Sequence, residues 1–216
     1  FDNKLKIAKM QKLIMNCSKD IEVGIFNLEK IEPKFCKAVS VCGLPKLTKA
    51  SAGVTGLFKI IIDQQLSTAA AKSIWSKVID NGLTTADAVL KSDDATLHGL
   101  GLSRAKISYA KGLASAGIDY DSMKEKSDKR IIQELTEIRG IGLWTAQIYL
   151  IFSLRRQDVF PSSDLALQEG VRALFEKSKR PTPVELDAFS RSWQPVRSIA
   201  AMLLWNYYTF TKKKRG

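Results

Sequence analysis

The stretch that decides the fold is LTEIRGIGLWTAQIYLIF, residues 135–152. A run of apolar helix formers meets Arg139-Gly140-Ile141-Gly142, and a second apolar run starts at once. Two glycines two residues apart allow one helix to end and another to begin within a few residues, because glycine accepts positive φ and close backbone approach. The second helix is expected to start near Leu143. Its first N–H groups have no partner inside the helix and lie at the positive end of its dipole. A phosphate oxygen is a natural partner for them. Such a contact uses main chain, so it grips a backbone without reading bases. Ile141 is placed to plug into the core, and Thr145 to add a hydroxyl to the phosphate. Gly-x-Gly by itself leaves a plain αα turn open as the alternative.

Charge favours the phosphate reading. The 216 residues carry 34 Lys and Arg against 22 Asp and Glu, a net of +12. Taking away the four cations of Lys212-Lys213-Lys214-Arg215 still leaves +8 (12 minus 4), so the excess is spread along the chain. A polyanion, nucleic acid first, is the expected partner. Three cysteines without a CxxC pair argue against a disulfide framework or a four-cysteine cluster. A single histidine, His98, leaves no material for a Ser-His-Asp triad or a multi-histidine metal site. No apolar run reaches the ~18 residues of a membrane span, and the start FDNKLKIAKMQKLIM is too charged to read as the apolar stretch of a secretory leader.

Apolar residues recur at three and four over 5–15, 54–62, 69–79, 86–90, 131–138, 143–154, 165–175 and 196–208. That spacing predicts an all-α chain of roughly ten helices with short joins. Start signals agree: Thr182-Pro183-Val184-Glu185 has the order of a capping box, and Ser92-Asp93-Asp94, Ser103 and Ser127-Asp128 are candidate caps. A weak internal echo pairs LHGLGLSRAKI at 97–107 with IRGIGLWTAQI at 138–148.

Downstream, DVFPSSDLAL at 158–167 places one acid, Asp164, just past a proline turn. Pro161-Ser162-Ser163 is expected to cap a helix beginning near Ser162, with Asp164 in its first turn. Acids favour that position by dipole attraction alone, worth ~0.3–1 kcal/mol. A carboxylate held there also suits a second task, facing a sugar that becomes oxocarbenium-like as its bond to a base breaks.

The hairpin run, with Asp164 twenty residues after Trp144, resembles the helix–hairpin–helix DNA glycosylase superfamily, in particular its 3-methyladenine DNA glycosylase II branch. FKIIIDQQLSTAAAKSIWSKV at 58–78 and WQPVRSIAAMLLWNYY at 193–208 extend the resemblance over about 55–208. It implies two helical lobes with a DNA-binding cleft between them, and a helix–hairpin–helix near 134–155. One lobe is about 55–155 and the other 1–54 plus 156–216. It also implies a monofunctional glycosylase that hydrolyses the bond between deoxyribose and an alkylated purine in duplex DNA. Asp164 matches the family's essential carboxylate. Gly140, Ile141, Gly142 and Thr145 match the phosphate-binding hairpin, and Ser103 joins them as a DNA contact. Hairpin amides are expected to hold the strand so that Asp164 lies against the deoxyribose.

Gln64 and Gln65 stand where the family places its minor-groove wedge, preceded by Asp63, where relatives carry a small residue and a carboxylate would repel phosphates. Trp144 replaces the lysine of bifunctional relatives, so no Schiff base forms and no strand cleavage is expected. Trp205, Trp144 and Ile148 fall at base-pocket positions. A tryptophan face attracts a positively charged alkylated base, whereas Ile148 stands where an aromatic is usual. The carbonyls of Thr136, Ile138 and Ile141 match a site for structural Na+ or K+; no cofactor is otherwise required. A monomer bound to alkylated or abasic duplex DNA is expected, nuclear if eukaryotic and otherwise cytoplasmic. The competing reading is a weakly catalytic or non-catalytic protein that binds distorted DNA through the same hairpin. A helix-turn-helix regulator is disfavoured, since no sequence-reading helix with exposed Arg, Asn or Gln is evident.

Overall fold

The computed structural model describes residues 14–48 and 50–213. The described residues form twelve α-helices, α1 to α12, and no β-strand. The helix expected over 5–15 lies outside them except for Ile14 and Met15, as do Lys214 and Arg215 of the basic tail.

The chain divides into two units. The first joins 1–48 to 155–216. It contains α1 (Ser18–Ile31), α2 (Lys34–Cys42), α10 (Leu165–Leu174), α11 (Pro183–Ser190) and α12 (Arg197–Lys213). Its axis is α12, which is apolar around most of its circumference and buries Ile199, Ala200, Ala201, Leu203 and Leu204 against α1, α2 and α10. A helix apolar on several faces has to be surrounded in this way. Beside it Phe35, Phe160, Phe175 and Phe189 pack around Trp193, which is 1 % exposed. Phe35, Phe160 and Phe189 meet the indole edge-on and Phe175 stacks on it, and such packing holds rings in fixed places. A short antiparallel bridge, Ile14 to Arg156, closes the join between the two chain segments of this unit.

The second unit spans residues 49–154. It contains α3 (Gly53–Asp63), α4 (Thr68–Asp80), α5 (Ala86–Lys91), α6 (Asp94–Gly99), α7 (Arg104–Ser115), α8 (Asp128–Thr136) and α9 (Leu143–Phe152). Its core is α3 packed on α9. Leu57, Phe58, Ile60, Ile61 and Ile62 meet a helix that buries Ala146, Tyr149, Leu150 and Ile151. The two run antiparallel: the Gly53 N–H at the start of α3 donates to the Tyr149 hydroxyl late in α9, while Gln64, just past the end of α3, reaches the start of α9.

Side-chain caps predicted from sequence fall on Asp93, Ser103, Ser127 and Thr182, each accepting a main-chain N–H of the following turn. Two expectations change. Helix α10 starts at Leu165, not near Ser162; its cap is Asp164 itself, in extended conformation with φ −72 and ψ 121. The Asp164 N–H closes a turn onto the Pro161 carbonyl, and that turn holds the chain off the helix until the carboxylate can cap it. The internal echo is also not a repeated turn. In 97–107 positive φ falls on the second glycine, Gly101, whereas in the hairpin it falls on the first, Gly140. The helices accordingly start in different registers, after Ser103 and after Gly142.

Candidate nucleic-acid interface and acid site

In the second unit four helix ends converge: the C-termini of α3 and α8 and the N-termini of α7 and α9. They border an open groove of about 530 Å³ whose lining includes Gln64, Gln65, Ser103, Lys106, Ile138 and Gly142. Its lining carries two cations, Lys106 and Arg139, and one acid, Glu137, and the two helix N-termini bring unpaired amides to the same space.

The hairpin is built as its glycines require. Gly140 has φ +91, and a Cβ there would lie 2.2 Å from the Tyr109 ring. Only glycine fits both constraints. Gly142 differs. It has ordinary extended geometry, with φ −90 and ψ 177, and a Cβ would meet nothing within 4 Å. It caps α9 without a side chain, so no side-chain cap competes for the first amides of that helix. Ile141 is 3 % exposed and anchors the hairpin in the core.

Gln64 ties the groove together. Its Nε2 donates to the Gly140 carbonyl at 3.0 Å and to Thr145 Oγ1 at 2.9 Å. Thr145 is 2 % exposed, so its hydroxyl is turned inward to Gln64 and not outward to a phosphate as the sequence suggested. The glutamine pair is thereby divided: Gln64 is a clasp, whereas Gln65 is exposed with φ +55. Asp63 also differs from expectation. Its carboxylate pairs with Lys59, one turn earlier on α3, which offsets the repulsion it would exert on DNA. Trp144 is half-buried, and Ile148, 9 % exposed, offers little surface to a base. Neither lines the groove.

Tyr109 and Lys106 are among the groove residues not found by sequence reasoning. Tyr109 backs Gly140. Lys106 Nζ donates to the carbonyls of Ile62 and Gln64, at 2.6 and 2.8 Å. Burial pushes the Lys106 ammonium below the usual lysine range, and the Asp63 charge opposes that shift. A signal was present: Lys106 sits in the first turn of α7, where a cation opposes the dipole, and its side chain instead serves the negative end of α3.

Thr136, Ile138 and Ile141 border the groove, and Ile138 accepts the Ile141 N–H at 3.0 Å, which uses one of its two lone pairs. Among the described residues no cluster of three or more His, Cys, Asp or Glu could hold a metal ion.

In the first unit Asp164 stands at the N-terminus of α10. Its Oδ1 accepts the Leu167 N–H at 3.0 Å and the Trp205 indole N–H at 3.1 Å. Two donors on one oxygen fix the plane of the carboxylate. Trp205, expected as a base-pocket wall, is therefore also a positioning donor. The loop leading to Asp164 is itself held: Arg197 makes a two-pronged pair with Asp158, and the buried Ser198 hydroxyl bonds the Val159 main chain.

No helix among the described residues is long and apolar enough to cross a membrane. The family model described as "HhH-GPD superfamily base excision DNA repair protein" matches residues 58–195. DNA-3-methyladenine glycosylase 1 of Schizosaccharomyces pombe is 29 % identical over 210 residues, covering 93 % of this chain and 92 % of its own. The alkylbase DNA glycosidase-like protein mag2 of the same organism is 29 % identical over 191 residues, covering 83 % of this chain and 90 % of its own. Among solved structures, the Schizosaccharomyces pombe 3-methyladenine DNA glycosylase (Mag1) in complex with abasic DNA has a TM-score of 0.78 at 29 % identity. That match covers 84 % of this chain and 94 % of the other. DNA-3-methyladenine glycosidase of Bacillus halodurans has a TM-score of 0.72 at 26 % identity, covering 88 % and 91 %.

Proposed function

Because the chain belongs to the HhH-GPD superfamily of base excision DNA repair proteins, we propose that it is a DNA glycosylase for alkylated purines of the 3-methyladenine and 7-methylguanine class in duplex DNA. The observation that carries this reading is Asp164, a carboxylate held rigid by the Leu167 amide and the Trp205 indole. Capping α10 needs only the Leu167 amide; the second donor, the Trp205 indole from another helix, goes beyond what a cap requires.

The amides at the start of α9 hold a phosphate of the damaged strand. The damaged nucleotide leaves the stack, and its vacancy is filled from the 63–66 turn. The glycosidic C–N bond then breaks, and its electron pair leaves with the base, which alkylation has made cationic and which departs neutral. The positive charge that develops on the sugar faces Asp164. A water oxygen bonds C1′ and gives up its proton, for which Asp164 is the nearest base proposed. Trp144 offers no amine, so no Schiff base forms and the strand is left intact. Na+ or K+ on the carbonyls of Thr136, Ile138 and Ile141 would add positive charge beside the phosphate. The protein works as a monomer wherever the DNA is, in the nucleus if eukaryotic and in the cytoplasm otherwise.

The test is release of free methylated purines from alkylated duplex DNA. Asp164→Asn should slow release by ~10²–10³, the usual cost of one preorganised electrostatic group. Equal release by both proteins removes Asp164 from catalysis. No release by the unaltered protein leaves the damage-binding reading.

A further inference from the structure

The turn between α3 and α4 has to hold an unusual shape. Gln65 has φ +55, a region that a side chain with a Cβ occupies only when its surroundings impose it. On one side of it, Gln64 is drawn back onto the hairpin through Gly140 and Thr145. On the other, Leu66 and Ser67 are exposed, and Ser67 caps α4. The element that imposes the shape comes from α7. The Lys106 ammonium bridges the Ile62 and Gln64 carbonyls, one before the turn and one inside it. Both carbonyls lie at the negative end of α3, where a cation is favoured. Asp63, between the two carbonyls, is engaged with Lys59.

We propose that Lys106 is a positioning residue for damage recognition. By bridging the Ile62 and Gln64 carbonyls it holds the 63–66 turn so that Gln65 is presented outward, and this sets the preference for DNA with a gap in its base stack. Gln64, spent on the hairpin, locks the turn and does not enter the gap. The proposal rests on the duplex-DNA reading above but not on catalysis. Asp63, between the two carbonyls, places a negative charge near the ammonium that opposes the effect of its burial.

The experiment compares binding to a duplex containing a stable tetrahydrofuran abasic analogue with binding to the same duplex intact. Both carry the same charged backbone, so the ratio of affinities cancels the charge lost in a lysine variant. Lys106→Met should reduce the ratio roughly tenfold, the scale of a lost charge-assisted contact. Lys106→Arg, which keeps donors in reach, should restore part of it. Gln65→Ala should match Lys106→Met, and the double variant should fall no further, because both changes remove one function. A wild-type ratio in Lys106→Met, losses that multiply in the double variant, or no abasic preference in the unaltered protein overturns the proposal. Gln65 is exposed, so an unchanged ratio in Gln65→Ala overturns it even where Lys106→Met folds poorly. Base release is scored separately: its absence removes the glycosylase reading while the binding ratio still judges Lys106.

Discussion

Replacing each hairpin glycine by alanine separates folding from binding. At Gly140 the backbone sits at φ +91, where a residue with a Cβ is strained by ~1–3 kcal/mol. The added methyl would also lie 2.2, 2.5 and 2.6 Å from three atoms of the Tyr109 ring. The ring has to move, and overpacking of this kind costs ~1–3 kcal/mol. Together these give roughly 2–6 kcal/mol. In a chain of this size each kcal/mol lowers Tm by ~2–4 °C, so Gly140→Ala should melt on the order of 10 °C lower. At Gly142 the dihedrals are ordinary and the space is empty. Gly142→Ala should therefore stay within about 0.5 kcal/mol of the unaltered protein. Its methyl, however, stands beside the first amides of α9. One lost hydrogen bond to a phosphate is worth ~1.5–3 kcal/mol, or roughly 10–100-fold in affinity for duplex DNA. Thermal melts followed by circular dichroism and binding by fluorescence anisotropy read the two effects. Equal melting of the two variants, or unchanged DNA affinity in Gly142→Ala, would refute the reasoning.

Trp205→Phe keeps an aromatic ring, smaller than the indole, but removes the N–H that steadies Asp164. A hydrogen bond to a charged group is worth ~1.5–3 kcal/mol, so single-turnover base release should slow about 10–100-fold, and an unchanged rate counts against the positioning role. Duplex affinity should fall steeply with salt through counterion release, by about a thousandfold between about 50 and 200 mM for some six phosphate contacts; a flat titration speaks against main-chain phosphate docking. Borohydride added to the protein on abasic DNA should trap no covalent adduct, since position 144 carries an indole and not an amine; a trapped species on a denaturing gel contradicts the hydrolysis-only assignment.

Helical periodicity, the capping residues Asp93, Ser103, Ser127 and Thr182, and the two glycines between apolar runs are local signals, and the sequence by itself determined them. Local rules act over three or four residues, so they survive without knowledge of neighbours. The hairpin, the acid at 164 and the cationic excess were legible for that reason, and with them the family. What the sequence could not decide was which side chain answers which. Gln64 and Gln65 are identical in kind and adjacent, and only the antiparallel packing of α3 on α9 brings one of them onto Gly140 and Thr145 while leaving the other exposed. Lys106 looks misplaced at the start of α7 until the end of α3, some forty residues earlier in the chain, is seen beside it. The Trp205 bond to Asp164 likewise joins two helices by a contact no spacing rule encodes. Hydrogen bonds between distant segments are chosen by how apolar faces pack, and packing is a property of the whole chain, so these pairings existed only once the helices had found their places.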